Sequence, residues 1–352
     1  MDAAKALAAH SVPGIQKRWQ TVLVILLVAM LLIICAGCFA LTGGTPALSI
    51  TEVTAILQGS GERVPRIIVT DVRLPRFILS MLSGAALAVS GVILQDTLRN
   101  RLAGAEILGV SAGASVMIAL VVVFGLPVPW SAHPWLALAG GLVVGGLLLS
   151  MMRRIDDPVR LILIGAAFTA FCNSCIIAIV SMGTQSQITV LYMYLVGSLS
   201  SRTWQHVNLI VPWLLVTLPL AMMLARWLNL LRLGDEIAEG LGLPVGRTRL
   251  LLLLLAVTLV AVVVAVAGPI GFVALPVPHL TRRLLQTSDA RWVLPVSALI
   301  GASLVAIADV LARLVLHPNE LPVGLWTVMI GAPLLIFLLR RSFRRGGEGI
   351  TE

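Results

Sequence analysis

Apolar residues run through the chain in long unbroken blocks. Stretches without one Asp, Glu, Lys or Arg occupy 21–42, 77–95, 107–152, 161–201, 203–225, 250–281 and 321–339. An apolar run of about 18 or more residues is long enough, as a helix, to cross the hydrocarbon layer of a bilayer. The blocks do not alternate apolar and polar positions, as a strand of a membrane barrel does over about 10 residues. The pattern predicts an all-α, polytopic membrane protein. The longest blocks must fold back, and Pro127, Pro129 and Pro134 mark a turn inside one of them. Spans are expected at 21–42, 77–97, 108–126, 134–152, 160–182, 205–226, 250–268, 270–285, 292–314 and 321–340. A short extra helix is expected at 188–197, and the eighth span is short and interrupted by Pro276 and Pro278.

Composition agrees: 59% of residues are hydrophobic and 12% charged, against about a quarter charged in soluble domains. The formal charge of +9 reads as topology, because cytoplasmic loops collect Lys and Arg. Ten spans put both termini on one side. With the termini in the cytoplasm, only Arg63, Arg66, Arg73, Arg76, Arg202 and Arg313 of the 25 basic residues face outward. Nucleic acid is excluded as a partner, since no basic patch carries interleaved aromatics. The expected organisation is a cytoplasmic tail (1–19), one transmembrane domain (20–342) and a second cytoplasmic tail (343–352). The first run has no small-residue cleavage site after it and reads as a retained span. Cys35/Cys38 and Cys172/Cys175 have C-x-x-C spacing. Both pairs sit within apolar helices, away from a helix start that would activate a thiol, so they read as structural. No metal site is expected.

One charged island interrupts this pattern: "RLGDEIAEGLGLPVGRTR", residues 232–249. Asp235 and Glu236 suit the first turn of a helix, near the positive end of its dipole. Ile237, Ala238 and Leu241 fall at helical spacing and predict one apolar face. Gly242 suits the C-terminal cap, and Pro244 stops continuation. A second short turn through Val245–Arg249 would lead into the seventh span. The island is either a solvated loop or a knob on which a cytoplasmic partner docks.

The segment "GDEIAEGLGLPVGRTR" resembles the coupling segment of bacterial type II ABC importer permeases, the family that imports iron–siderophore complexes, heme and cobalamin. Three further stretches resemble that family in the same order: "RLPRFILSMLSGAALAVSGVILQDTLRNRLAGAEILGVSAGAS" (73–115), "GPIGFVALPVPHLTRRL" (268–284) and "ADVLARLVLHPNELPVGLWTVMIGAP" (308–333). The resemblance covers nearly everything after about residue 50. It implies ten spans and short helices, carrying Gly234, Asp235, Glu236, Ala238, Leu241, Gly242 and Arg247, that sit in a groove of an ATPase subunit. Two such ATPases, a second permease subunit and a substrate-binding protein are the implied partners. Arg73, Arg76 and Arg313 match family positions that pair with acids on the binding protein; snorkelling anchors are the plainer alternative. Asn100 and Leu102, with Pro158 and Val159, match the turns of the inner gate. Here the chain departs from the family: Arg101 stands where proline is usual, and Pro158 and Val159 where some relatives carry hydroxyls. Gln185, Ser186 and Gln187 resemble the outer gate.

Other residues have structural readings. Gly84, Gly91, Gly141 and Gly145 permit close helix contact. Gly268, Gly271, Pro276 and Pro278 break the eighth span, and His279 beside cytoplasmic arginines reads as structural. Asp309 lies inside an apolar block, where a carboxylate suggests function by default; pairing with Arg313 at i,i+4 is the simpler account. No G-x-x-x-x-G-K-[ST] loop occurs, and the only lysines are Lys5 and Lys17. ATP and its magnesium therefore belong on a partner. The expected cargo is a ferric siderophore, with heme or cobalamin as alternatives. A proton-coupled secondary transporter using Asp309 would explain the helices but not the island.

Overall fold

The computed structural model describes residues 15–152, 158–316 and 319–347. Residues 1–14 of the first tail, Arg153 and Arg154, and residues 348–352 of the second tail lie outside them. The apolar blocks are helices: α1 (Ile15–Thr42), α2 (Ile50–Leu57), α3 (Arg63–Thr97), α4 (Val110–Val123), α5 (His133–Met152), α6 (Pro158–Val180) and α7 (Gln185–Val196). Then come α8 (Trp204–Met223), α9 (Ala225–Arg232), α10 (Asp235–Gly240), α11 (Val245–Ala267), α12 (Pro276–Leu285), α13 (Ala290–Leu314) and α14 (Val323–Gly347). Among the described residues seven helices are long and apolar enough to cross a membrane, and Val110–Val123 and Val323–Leu338 are shorter apolar helices. The short α12 stands at the place of the expected eighth span.

Three boundaries differ from expectation for local reasons. α3 begins at Arg63, before its apolar block, and passes through a π-helical turn at Ile68–Arg73. α11 starts at Val245, so the expected separate turn at Val245–Arg249 is already part of the long helix. Pro276 and Pro278 do not interrupt the eighth span. They open α12, where the missing N–H of proline costs nothing. The break lies before them, at residues 268–275. Gly268 ends α11 at φ +73°, and a Cβ there would strike the Tyr194 carbonyl oxygen. Gly271 has ordinary space around it, so its lack of a side chain is not demanded sterically.

α3 and α11 form the centre. From Leu255 to Ala267, α11 is buried on almost every side, as a helix that is apolar all round must be. α13 packs along α3, and α5 packs along α4 and α11. Small residues permit this approach. A Cβ on Gly84 would collide with the backbone of Gly301, and one on Gly91 with the carbonyl of Ala274. Gly141 and Gly145 sit against Val110 and Val257. α1 and α6 leave Leu27, Leu31, Phe171 and Ile177 exposed. Such surface suits hydrocarbon. All four cysteines are free thiols.

Candidate functional site

The charged island folds as a short helix fastened by shared carboxylates. α10 starts after Gly234, whose φ is +110°. It ends in a Schellman turn: the Leu243 N–H donates to the Ala238 carbonyl at 3.0 Å, and the Gly242 N–H to the Glu239 carbonyl at 2.8 Å. Gly242 takes φ +84°, a left-handed conformation that strains any Cβ. Ala238 is fully buried and faces the bundle with Leu243. This corrects the single apolar face expected of Ile237, Ala238 and Leu241. Ile237 and Leu241, four residues apart, point outward and are 55% and 62% exposed, whereas Ala238 anchors the opposite side. Leu233, just before the helix, is also exposed. Arg232, Glu236, Glu239 and Arg247 are exposed around them. An apolar centre with a charged rim is the composition of a protein-docking surface.

Asp235 does not join that rim freely. Its Oδ1 lies 2.7 Å from Arg249 Nη2 at the start of α11 and 3.1 Å from Arg99 Nη2 at the end of α3. Arg99 itself closes α3 in a left-handed conformation, φ +48°, which costs a non-glycine residue about 1–2 kcal/mol. The next residue, Asn100, accepts the Leu102 N–H on its side-chain oxygen at 2.9 Å. Asn100 and Leu102, expected in the inner gate, thus form one turn joined through Arg99 to α10. Pro158 and Val159 open α6, and their side chains lie outside the described residues.

A second cluster, which sequence reasoning missed, braces the same end. Asp96 Oδ1 meets Arg282 Nη2 at 3.0 Å and Arg232 Nε at 3.4 Å. Arg282 also donates to Gln95 Oε1 at 2.5 Å, and Gln95 donates to the Leu275 carbonyl at 3.1 Å. Arg232 donates to the Ser288 carbonyl as well. Asn229 donates to Asp289 Oδ1 at 2.6 Å, and Asp289 caps α13. α9 and α10 are therefore tied to α3, α12 and α13. The available signal was Gln95–Asp96 directly after an apolar block, just ahead of basic residues.

The far end of α3 holds a different arrangement. Arg76 Nε donates to both oxygens of Asp309, at 2.9 and 3.2 Å, and its Nη1 donates to Glu320 at 2.8 Å. Arg313 Nε lies 3.6 Å from Asp309, the expected i,i+4 pair, and its Nη2 donates to the Ala40 carbonyl at 3.2 Å. Arg73 donates to the carbonyls of Leu41 and Pro46 at 2.6 and 2.7 Å. All three arginines are buried. Burial leaves them little surface for the docking rim expected of them. A buried guanidinium must be paired and hydrogen-bonded, and these spend their donors fastening α1, α3 and α13. The exposed outer arginines of the α3 segment are Arg63 and Arg66. Burial alone would raise the Glu320 carboxyl, but Arg76 and the Ser200 hydroxyl outweigh it and hold it below its ordinary value. Gln187, from the expected outer gate, donates to the Val123 carbonyl at 3.1 Å and closes a capping box with Thr184.

A bundle of apolar helices of this length defines a multi-pass membrane protein. Residues 30–341 match the profile of the FecCD transport family, and the chain belongs to that family. It is 36% identical to the Fe(3+)-citrate import system permease protein YfmE of Bacillus subtilis (strain 168), over 94% of this chain and 98% of that protein. It is 42% identical to the Fe(3+) dicitrate transport system permease protein FecD of Escherichia coli (strain K12), over 78% and 85%. Identity to the hemin transport system permease protein HmuU of Yersinia pestis is 39%, over 79% and 84%. Among solved structures, an inward-facing ABC transporter assigned to the metal-chelate type superposes with a TM-score of 0.79 at 28% identity. That match covers 90% of this chain and 99% of the other.

Proposed function

We propose that this chain is the permease subunit of an ATP-driven importer that carries ferric siderophores or related ferric chelates into the cytoplasm. Its path lies between it and a second permease subunit. Two ATPase subunits dock on α10 and its surroundings, and a substrate-binding protein delivers cargo to the opposite end. The chain sits in a bacterial inner membrane with both termini cytoplasmic. ATP hydrolysis, with ATP and magnesium, belongs to the ATPase subunits. The observation that carries this reading is the exposed Ile237–Leu241 pair on a helix whose base is tied to the Asn100–Leu102 turn. A push on that pair reaches the gate turn through Asp235 and Arg99. Relatives named for ferric citrate favour ferric chelates as cargo. The hemin relative supports heme as the second reading.

Reconstitution of the chain with its ATPase and binding protein in proteoliposomes tests this. ATP-dependent uptake of the ferric chelate is expected in the wild type. Ile237→Glu/Leu241→Glu is expected to release the ATPase and abolish uptake without unfolding the bundle, because both side chains are solvent-facing. Uptake that continues without ATPase and follows a proton gradient overturns the reading.

A further inference from the structure

At the end of the bundle opposite α10 lies a cavity of about 760 Å³. It is bounded by α4, the Trp130–Ala132 turn, α7, the loop leading into α8 and the first turn of α8. The twenty residues of α8, at about 1.5 Å each, hold it roughly 30 Å from the α9–α10 end. Sites for small ligands occupy about 300–1,000 Å³, so the cavity has room for a compact chelate.

Its charged groups are not matched to one another. Arg202 lines the cavity, and among the described residues no Asp or Glu pairs with it. Its Nε is buried with no hydrogen-bond partner. His206, one turn into α8, accepts the Thr203 backbone N–H on Nδ1 at 3.3 Å. An imidazole that accepts at Nδ1 carries its proton on Nε2. That Nε2 lies 3.4 Å from Arg202 Nη1. Nε2 accepts from Arg202 only in the other tautomer, with the ring proton on Nδ1 facing Thr203 Oγ1 at 3.4 Å; in either tautomer Arg202 Nε is left without an acceptor. The carboxylate in the wall, Glu320, is already held by Arg76 at 2.8 Å and Ser200 at 2.7 Å. A cation with unused donors inside a largely apolar recess selects an anionic oxygen ligand.

We propose that the Arg202–His206 recess is a carboxylate subsite, which takes a free carboxylate of an anionic ferric chelate of the hydroxycarboxylate type as it enters. The inference rests on the importer reading and narrows its substrate class. Ferric complexes of hydroxycarboxylates carry unligated carboxylate oxygens and net negative charge; ferric tris-hydroxamates present no such group. A phosphate of an anionic lipid headgroup is the competing source of anionic oxygen.

The test uses the full chain with its ATPase subunits in nanodiscs of phosphatidylcholine alone. Ferric citrate is titrated against calorimetry and tryptophan fluorescence, since Trp130 lies on the cavity wall. A neutral ferric tris-hydroxamate is titrated in parallel. Arg202→Gln is expected to weaken ferric citrate at least about 10-fold, the size of one charged hydrogen bond, and to leave the hydroxamate unchanged. His206→Glu retains the Thr203 capping box while placing a carboxylate against Arg202. It is expected to block ferric citrate with an unaltered melting temperature.

The proposal falls if both variants bind ferric citrate like the wild type, if they weaken both chelates alike, or if the wild type binds neither. It falls too if phosphatidylglycerol in the disc abolishes ferric citrate binding, which assigns the recess to a lipid headgroup. Uptake separates this inference from the reading beneath it. A wild-type complex that imports ferric citrate equally well with Arg202→Gln loses only the subsite. A wild-type complex that imports no ferric chelate with ATP loses the importer reading.

Discussion

The two ends of α3 both carry arginine–carboxylate clusters, but the clusters are built differently. At the Arg76 end the arginines and Asp309 are buried, and that one carboxylate serves two guanidinium groups, which also donate to the Ala40 carbonyl and Glu320. At the Arg99 end, Asp235 is partly exposed, and it joins a helix whose outer face is bare apolar surface. The first arrangement cannot be parted without stranding charge in a dry interior. The second is freer to shift, because water reaches both Asp235 and Arg99. One end of the helix is locked, and the other is a jointed lever that ends in bare apolar surface.

The most severe way to test that contrast is to open the lock. Asp309→Ala leaves Arg76 and Arg313 buried without their shared carboxylate. It is expected to destabilise the chain by about 3–5 kcal/mol, read as a lower melting temperature in detergent. Arg76→Met/Asp309→Leu is expected to recover a large part of that loss, since a buried ion pair can be exchanged for packed apolar groups. A single-variant loss below about 1 kcal/mol would place Asp309 with the surface pairs instead.

Packing differs along the same lines. Gly91→Ala drives a methyl into the Ala274 carbonyl and is expected to cost about 1–3 kcal/mol. Gly246→Ala, near the lever, meets nothing within 4 Å. It is expected to be neutral or to stabilise the start of α11 by about 0.5–1 kcal/mol. Melting temperatures of the two variants side by side decide this.

Gly242→Ala sharpens the comparison at the lever itself. A Cβ at φ +84° costs about 1 kcal/mol, and that cost falls on α10 alone. Hydrogen exchange is expected to quicken at Ala238–Leu243, with global melting almost unchanged. Equal loss of protection throughout the bundle would show that α10 is not a separable unit.

The smallest effect concerns pH at the lock. Glu320 is held below its ordinary value of 4.5 in the fold, so the unfolded chain binds the proton first as pH falls. Its contribution is complete above the unfolded value and is lost as pH drops through the folded one. The wild type is expected to melt above Glu320→Gln at neutral pH, with the gap closing well below pH 4.5. A gap that widens on acidification would reverse the assignment.

Several features were legible before any packing was known, because they depend on neighbours in sequence. Charge-free blocks mark spans, since the bilayer demands them residue by residue. Gly242 and Pro244 announce the stop of α10, and the ten-span count follows from block length and turn residues. Other features depend on partners far along the chain. Arg76 and Asp309 are 233 positions apart, and no local pattern distinguishes an arginine at a rim from one sealed against a distant carboxylate. The same holds for Asp96 between Arg232 and Arg282, and for Arg202, whose character comes from having no carboxylate beside it among the described residues. Ala238 is the narrowest case: its helical spacing was right, but the side it faces was set by where α10 lies on the bundle. Local sequence determined the helices, their ends and their membrane character, since those energies arise within a few residues. Which charges are locked, which face of α10 is left bare and which buried arginine meets no carboxylate were decided only by tertiary structure, because desolvation and pairing are set by what the fold brings alongside.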